Sequence, residues 1–141
     1  MGFKTLRRTR LSGNTVTNGV DCLILDTLGE LSTLYPAADL VFVGGTLVPV
    51  GGHNLLEPAF YGKAVVTGPH LENVKEIAQV LKGKGALFVV RDPEELKVVV
   101  SRLLDDPVGL ERAGERGRLV VEENRGVCDR VVERIFADGR G

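Results

Sequence analysis

The chain has no tryptophan, one methionine, two cysteines and 5% aromatic residues among 141. An interior short of large rings must be filled by aliphatic side chains, and 43% of the residues are hydrophobic. That balance points to a globular α/β core and excludes a disordered or fibrous chain. Cys22 and Cys128 lie far apart and share no metal-ligand spacing, so no zinc site of the usual patterns is expected. Both thiols stand among apolar residues and are expected to be buried and free, as in a reducing compartment. Charge of one sign is lacking too: 18 Lys and Arg against 19 Asp and Glu leave a formal charge of −1. A broad nucleic-acid face is thereby disfavoured. No run of about eighteen apolar residues is present, so no membrane span is expected within this stretch, nor a secretion signal.

Several signatures of known chemistry are missing as well. No Gly-x-x-x-x-Gly-Lys-Ser/Thr loop occurs, which disfavours a P-loop nucleotidase. Gly44-Gly45-Thr46 lacks the third glycine of the dinucleotide fingerprint. Ser12, Ser32 and Ser101 lack a nucleophile-elbow setting, so no serine hydrolase is indicated.

The most informative stretch runs from Val43 to Pro58. A short apolar strand, Leu40 to Val43, breaks at Gly44-Gly45, crosses a loop, breaks again at Gly51-Gly52 and enters a helix near Asn54. Two glycine pairs around one loop permit sharp turns and bring bare N–H groups close to a ligand. The first turn of the following helix offers further unsatisfied N–H groups, a seat for phosphate. Asn54 and Glu57 also fit a capping box, with Asn54 as N-cap and Glu57 reaching back to it. Capping accounts for those two residues but not for four glycines with His53 between them.

Strands are expected over Phe3–Thr9, Val20–Leu25, Asp39–Val43, Lys63–Thr67 and Leu87–Val90. Helices are expected from Asp26 or Thr27 to Leu34, over Leu55–Tyr61, Glu72–Leu81 and Asp92–Leu104, from Asp106 to Glu123, and over Val127–Phe136. Gly62 should end the second as a C′ residue, and Asp92 with Pro93 should cap the fourth. The alternation predicts one domain over residues 1–141, a Rossmann-like parallel sheet with helices on both faces. Ligands of such sheets bind beyond the carboxyl ends of the strands, where Asp26–Glu30, Gly44–Glu57 and Gly68–His70 should converge. His53 and His70 are candidate ligand contacts. Glu57 could accept two ribose hydroxyls, as an ionised carboxylate does. No general base is evident.

Asp26-Thr-Leu-Gly-Glu-Leu31, Ala38-Asp-Leu-Val-Phe-Val-Gly-Gly-Thr46, Gly51-Gly-His-Asn-Leu-Leu-Glu-Pro58 and Gly68-Pro-His70, in that order, resemble the carboxyl-terminal domain of the 3-deoxy-D-manno-octulosonic acid (Kdo) transferases. The resemblance runs roughly from Phe3 to Phe136. It implies half of a GT-B glycosyltransferase, a membrane-associated enzyme that moves Kdo from CMP-Kdo onto lipid A precursor in lipopolysaccharide biosynthesis. By that resemblance Gly51, Gly52 and Asn54 hold the CMP phosphate and Glu57 the ribose. Leu28, Gly29 and Glu30 lie near the cytosine, Gly44, Gly45 and Thr46 line the floor, and His53 belongs to the same block. The family has serine at Thr46 and proline at Leu55; threonine keeps the hydroxyl.

The family's catalytic glutamate, acceptor surface and membrane anchor belong to an amino-terminal domain absent from this stretch. The chain is thus expected to bind CMP without catalysing transfer, and to need no cofactor, metal or nucleic acid. Its parent enzyme is expected at the cytoplasmic face of a bacterial inner membrane. The alternatives are another GT-B nucleotide-sugar transferase or epimerase domain, and a non-catalytic nucleotide-binding module.

Overall fold

The computed structural model describes residues 3–10, 19–25, 31–47, 49 and 54–123. They fall into two compact units, Met1–Leu34 and Tyr35–Gly141.

In the first unit, β1 (Thr5–Arg7) and β2 (Cys22–Ile24) pair in parallel, Leu6 beside Leu23. The ladder is tied at its start by Asp21, whose carboxylate accepts from Lys4 N–H at 2.8 Å while its own N–H donates to Lys4 O at 2.8 Å. A one-turn helix, α1 (Leu31–Leu34), closes the unit. Cys22 corrects the expectation of a buried thiol: it is free and exposed. Apolar sequence neighbours do not bury a side chain; here all three residues of β2 are exposed. Cys128 and the expected helix over Val127–Phe136 lie outside the described residues, as does the helix start at Asp26 or Thr27.

The second unit is a parallel ladder of β3 (Leu40–Val43), β4 (Ala64–Thr67) and β5 (Leu87–Val89), in that order. The register sets Val43 beside Thr67 and Thr67 beside Val89. Every residue of central β4 is buried, the mark of a parallel strand covered on both faces. Side-chain alternation sends Val65 into a core with Val43, Leu55, Ala59, Ala78, Leu81 and Val120. Ala64 and Val66 enter a second core with Val90, Leu103, Leu110 and Ala113. The helices supplying these cores are α2 (Leu56–Phe60), α3 (Lys75–Gly83), α4 (Pro93–Leu104) and α5 (Pro107–Glu123).

Helix α5 serves both layers, Leu110 and Ala113 on one side and Val120 on the other. Its Gly114 and Gly117 are buried rather than mere weak points in the helix. A Cβ at Gly114 would overlap the Gly62 carbonyl oxygen, so only glycine lets α5 approach the turn before β4.

The punctuation explains the boundaries. After α2, Gly62 takes φ +71°; its N–H donates to Ala59 O at 3.0 Å and that of Lys63 to Pro58 O at 3.1 Å. These are the two bonds of a Schellman motif. Gly85 repeats it after α3, with Gly85 N–H on Lys82 O and Ala86 N–H on Leu81 O. Asp92 caps α4 by accepting from Glu95 N–H at 2.8 Å, with Pro93 following it. Among the described residues no helix is long and apolar enough to cross a membrane, and no cluster of three or more His, Cys, Asp or Glu could hold a metal.

Candidate functional site

Val43, at the end of β3, and Leu55, just before α2, pack in the same core cluster. Gly44 to Leu47 follow directly on the carboxyl end of β3, the edge where parallel sheets take ligands.

This loop is fastened to the one after β4. Thr46 is fully buried; its hydroxyl donates to Val43 O at 2.6 Å and accepts from Gly68 N–H at 2.8 Å. Its carbonyl accepts from His70 N–H at 2.9 Å. A Cβ at Gly68 would overlap the Thr46 carbonyl, so the two backbones meet where no side chain fits. Gly45 takes φ +72°, the left-handed region that glycine enters without strain. A Cβ at Gly44 would meet nothing within 4 Å, so this backbone faces open space. Gly44 is thus open and Gly45 makes the turn beside it, whereas the Thr46 hydroxyl is consumed in holding the two loops together.

Asn54 and Glu57 stand at the start of α2. Asn54 Oδ1 accepts from Leu56 N–H at 2.9 Å, and Leu55 already has helical dihedrals, φ −94° and ψ −17°. Asn54 thus performs the capping bond expected of it. The reciprocal half of the capping box is absent: among the described residues, no hydrogen bond is made by the half-buried Glu57 carboxylate. Because α2 has five residues, it supplies local N–H donors rather than a long helix's dipole. Leu28, Gly29, Glu30, Gly51, Gly52 and His53 lie outside the described residues.

Three features had no clear signal in the sequence. Tyr35 stacks on Tyr61 with ring centroids 5.6 Å apart. Burial pushes its phenol above the ordinary value, and the Glu57 carboxylate and Tyr61 add to the rise. His70 Nδ1 lies 3.4 Å from Glu72 Oε1. The Glu72 carboxyl is held below its usual range, first by its own backbone N–H and further by the His70 ring. Thr67, one residue before Gly68, is fully buried with its hydroxyl unpartnered among the described residues.

No family model matches the chain. Individual relatives do. It is 39% identical over 135 residues to 3-deoxy-D-manno-octulosonic acid transferase of Haemophilus influenzae, covering 94% of this chain and 31% of that protein. The corresponding enzyme of Aquifex aeolicus is 39% identical over 103 residues, 73% of this chain and 27% of that protein. A bifunctional glycosyltransferase/methyltransferase of Fusobacterium nucleatum is 36% identical over 124 residues, 88% of this chain and 19% of that protein. The chain thus spans less than a third of the length of these relatives. In fold it matches the crystal structure of the C-terminal CMP-Kdo binding domain of WaaA from Acinetobacter baumannii. The TM-score is 0.76 at 28% identity, over 84% of this chain and 61% of that one. By sequence and by fold, therefore, the chain is similar to the carboxyl-terminal domain of the 3-deoxy-D-manno-octulosonic acid transferases.

Proposed function

We propose that this chain is the donor-binding domain of a glycosyltransferase that moves Kdo from CMP-Kdo to a lipid A precursor. The observation that carries this is the likeness to the CMP-Kdo binding domain of WaaA. It is supported by an open Gly44 at the carboxyl end of β3, by a loop clasped to the one after β4, and by a helix start bearing Asn54 and Glu57. The nucleotide lies over Gly44 and Gly45, with Thr46 as the clasp beneath. Gly51, Gly52 and Asn54 hold the phosphate through N–H donors and the Asn54 amide, with His53 beside them. Glu57, whose carboxylate makes no hydrogen bond among the described residues, accepts the ribose hydroxyls. Leu28, Gly29 and Glu30 lie against the cytosine. The acceptor, the catalytic base and attachment to the cytoplasmic face of the inner membrane belong to the rest of a longer enzyme. This domain alone binds CMP and transfers nothing.

Titration calorimetry with CMP on the wild-type chain, Glu57→Ala and Asn54→Ala tests the assignment. Glu57→Ala should weaken binding by about tenfold or more, the loss of two charge-assisted hydrogen bonds. Equal affinity in all three proteins removes the site, and preference for UMP or UDP over CMP removes the cytidine donor.

A further inference from the structure

Within the two clasped loops, residues 44–47 and 68–70, His70 is the one side chain able to carry charge. Its backbone is fixed, because His70 N–H donates to Thr46 O at 2.9 Å and Gly68 abuts the same carbonyl. The ring has a partner of its own. Its Nδ1 faces Glu72 Oε1 at 3.4 Å, and the side chain stays 34% exposed. With Nδ1–H turned to a carboxylate, Nε2 is the nitrogen left for another partner. The described acids of this edge, Glu57 and Glu72, would repel a nucleotide phosphate unless a cation faced it.

We propose that His70, as the imidazolium with its Nδ1–H turned to Glu72, donates from Nε2–H to the phosphate of a nucleotide lying over the clasped loops. The assignment rests on the nucleotide-binding function proposed above. It adds a side-chain contact for the phosphate from the end of β4 to the backbone donors expected from the segment after β3. Glu72 is then a positioning residue that acts through the ring.

The test compares CMP with cytidine, which lacks the phosphate, on the whole chain. His70→Ala should weaken CMP by about tenfold, the worth of one charge-assisted hydrogen bond, and leave cytidine unchanged. Glu72→Gln should weaken CMP by about threefold, and His70→Lys should recover part of the loss by restoring a cation. Amide spectra of each variant report the fold. In the wild-type protein, the His70 Nε2 resonance should shift on adding CMP and stay in place with cytidine, which needs no variant to fold. If the wild-type chain ignores CMP, the nucleotide-binding function fails and takes this contact with it. If the chain binds CMP while His70→Ala loses nothing, or loses CMP and cytidine equally, the phosphate contact alone is overturned.

Discussion

The Thr46 hydroxyl bridges two loops twenty-two residues apart in sequence, donating to Val43 O at 2.6 Å and accepting from Gly68 N–H at 2.8 Å. Thr46→Val keeps the shape but orphans a buried N–H, so a loss of about 2–3 kcal/mol is expected in urea unfolding. Thr46→Ser keeps the hydroxyl and should lose only about 1 kcal/mol, for a missing methyl. A valine variant as stable as the serine one would mean that the hydroxyl does not hold the loops.

Two helical glycines should respond oppositely to the same change. At Gly114 a methyl would meet the Gly62 carbonyl, whereas at Gly83 it would meet nothing within 4 Å. Gly114→Ala should destabilise by about 1–3 kcal/mol despite alanine's better helix propensity, because backbone cannot step aside. Gly83→Ala should stabilise by about 0.5–1 kcal/mol. Thermal melts that order the two the other way would contradict the packing of α5 on the turn before β4.

Thr67 carries a buried hydroxyl without a partner among the described residues. An orphaned buried polar group costs about 1–3 kcal/mol, so the isosteric Thr67→Val should raise stability by about 1 kcal/mol. A loss of stability would reveal a partner for that hydroxyl in solution.

Tyr35 should ionise later than an ordinary tyrosine, since burial, then Glu57, then Tyr61 favour its neutral phenol. A folded value above the unfolded 10.0 means the folded state holds the proton more tightly. Its contribution to stability is therefore complete below pH 10.0 and disappears as pH rises through the folded value. Absorbance titration near 295 nm in a Tyr61→Phe background isolates the phenol. Adding Glu57→Gln should move the midpoint down, and an unchanged midpoint would show that Glu57 does not reach it.

Much of the architecture is written locally. The strand–helix alternation, the Asp92–Pro93 start of α4 and the Gly62 stop of α2 depend on neighbours a few residues away, and the structure has each of them. Helix α3 runs on to Gly83, two residues past the expected end, because the left-handed stop lies at Gly85. Asn54 caps as its spacing implies, while Glu57 does not reach back, since a carboxylate's direction is set by what surrounds it. The exposure of Cys22 follows the same rule, for burial depends on what lies over a strand.

The amino-acid order alone determined the element types, their caps and the glycine-rich turns after β3, because these arise from φ preferences and hydrogen bonds within one or two turns of chain. Only the tertiary structure decided that Thr46 grips Gly68, that α5 meets both core layers through Gly114, and that Glu72 faces His70. Contacts between separate segments depend on how the sheet stacks its strands, which local preferences do not encode.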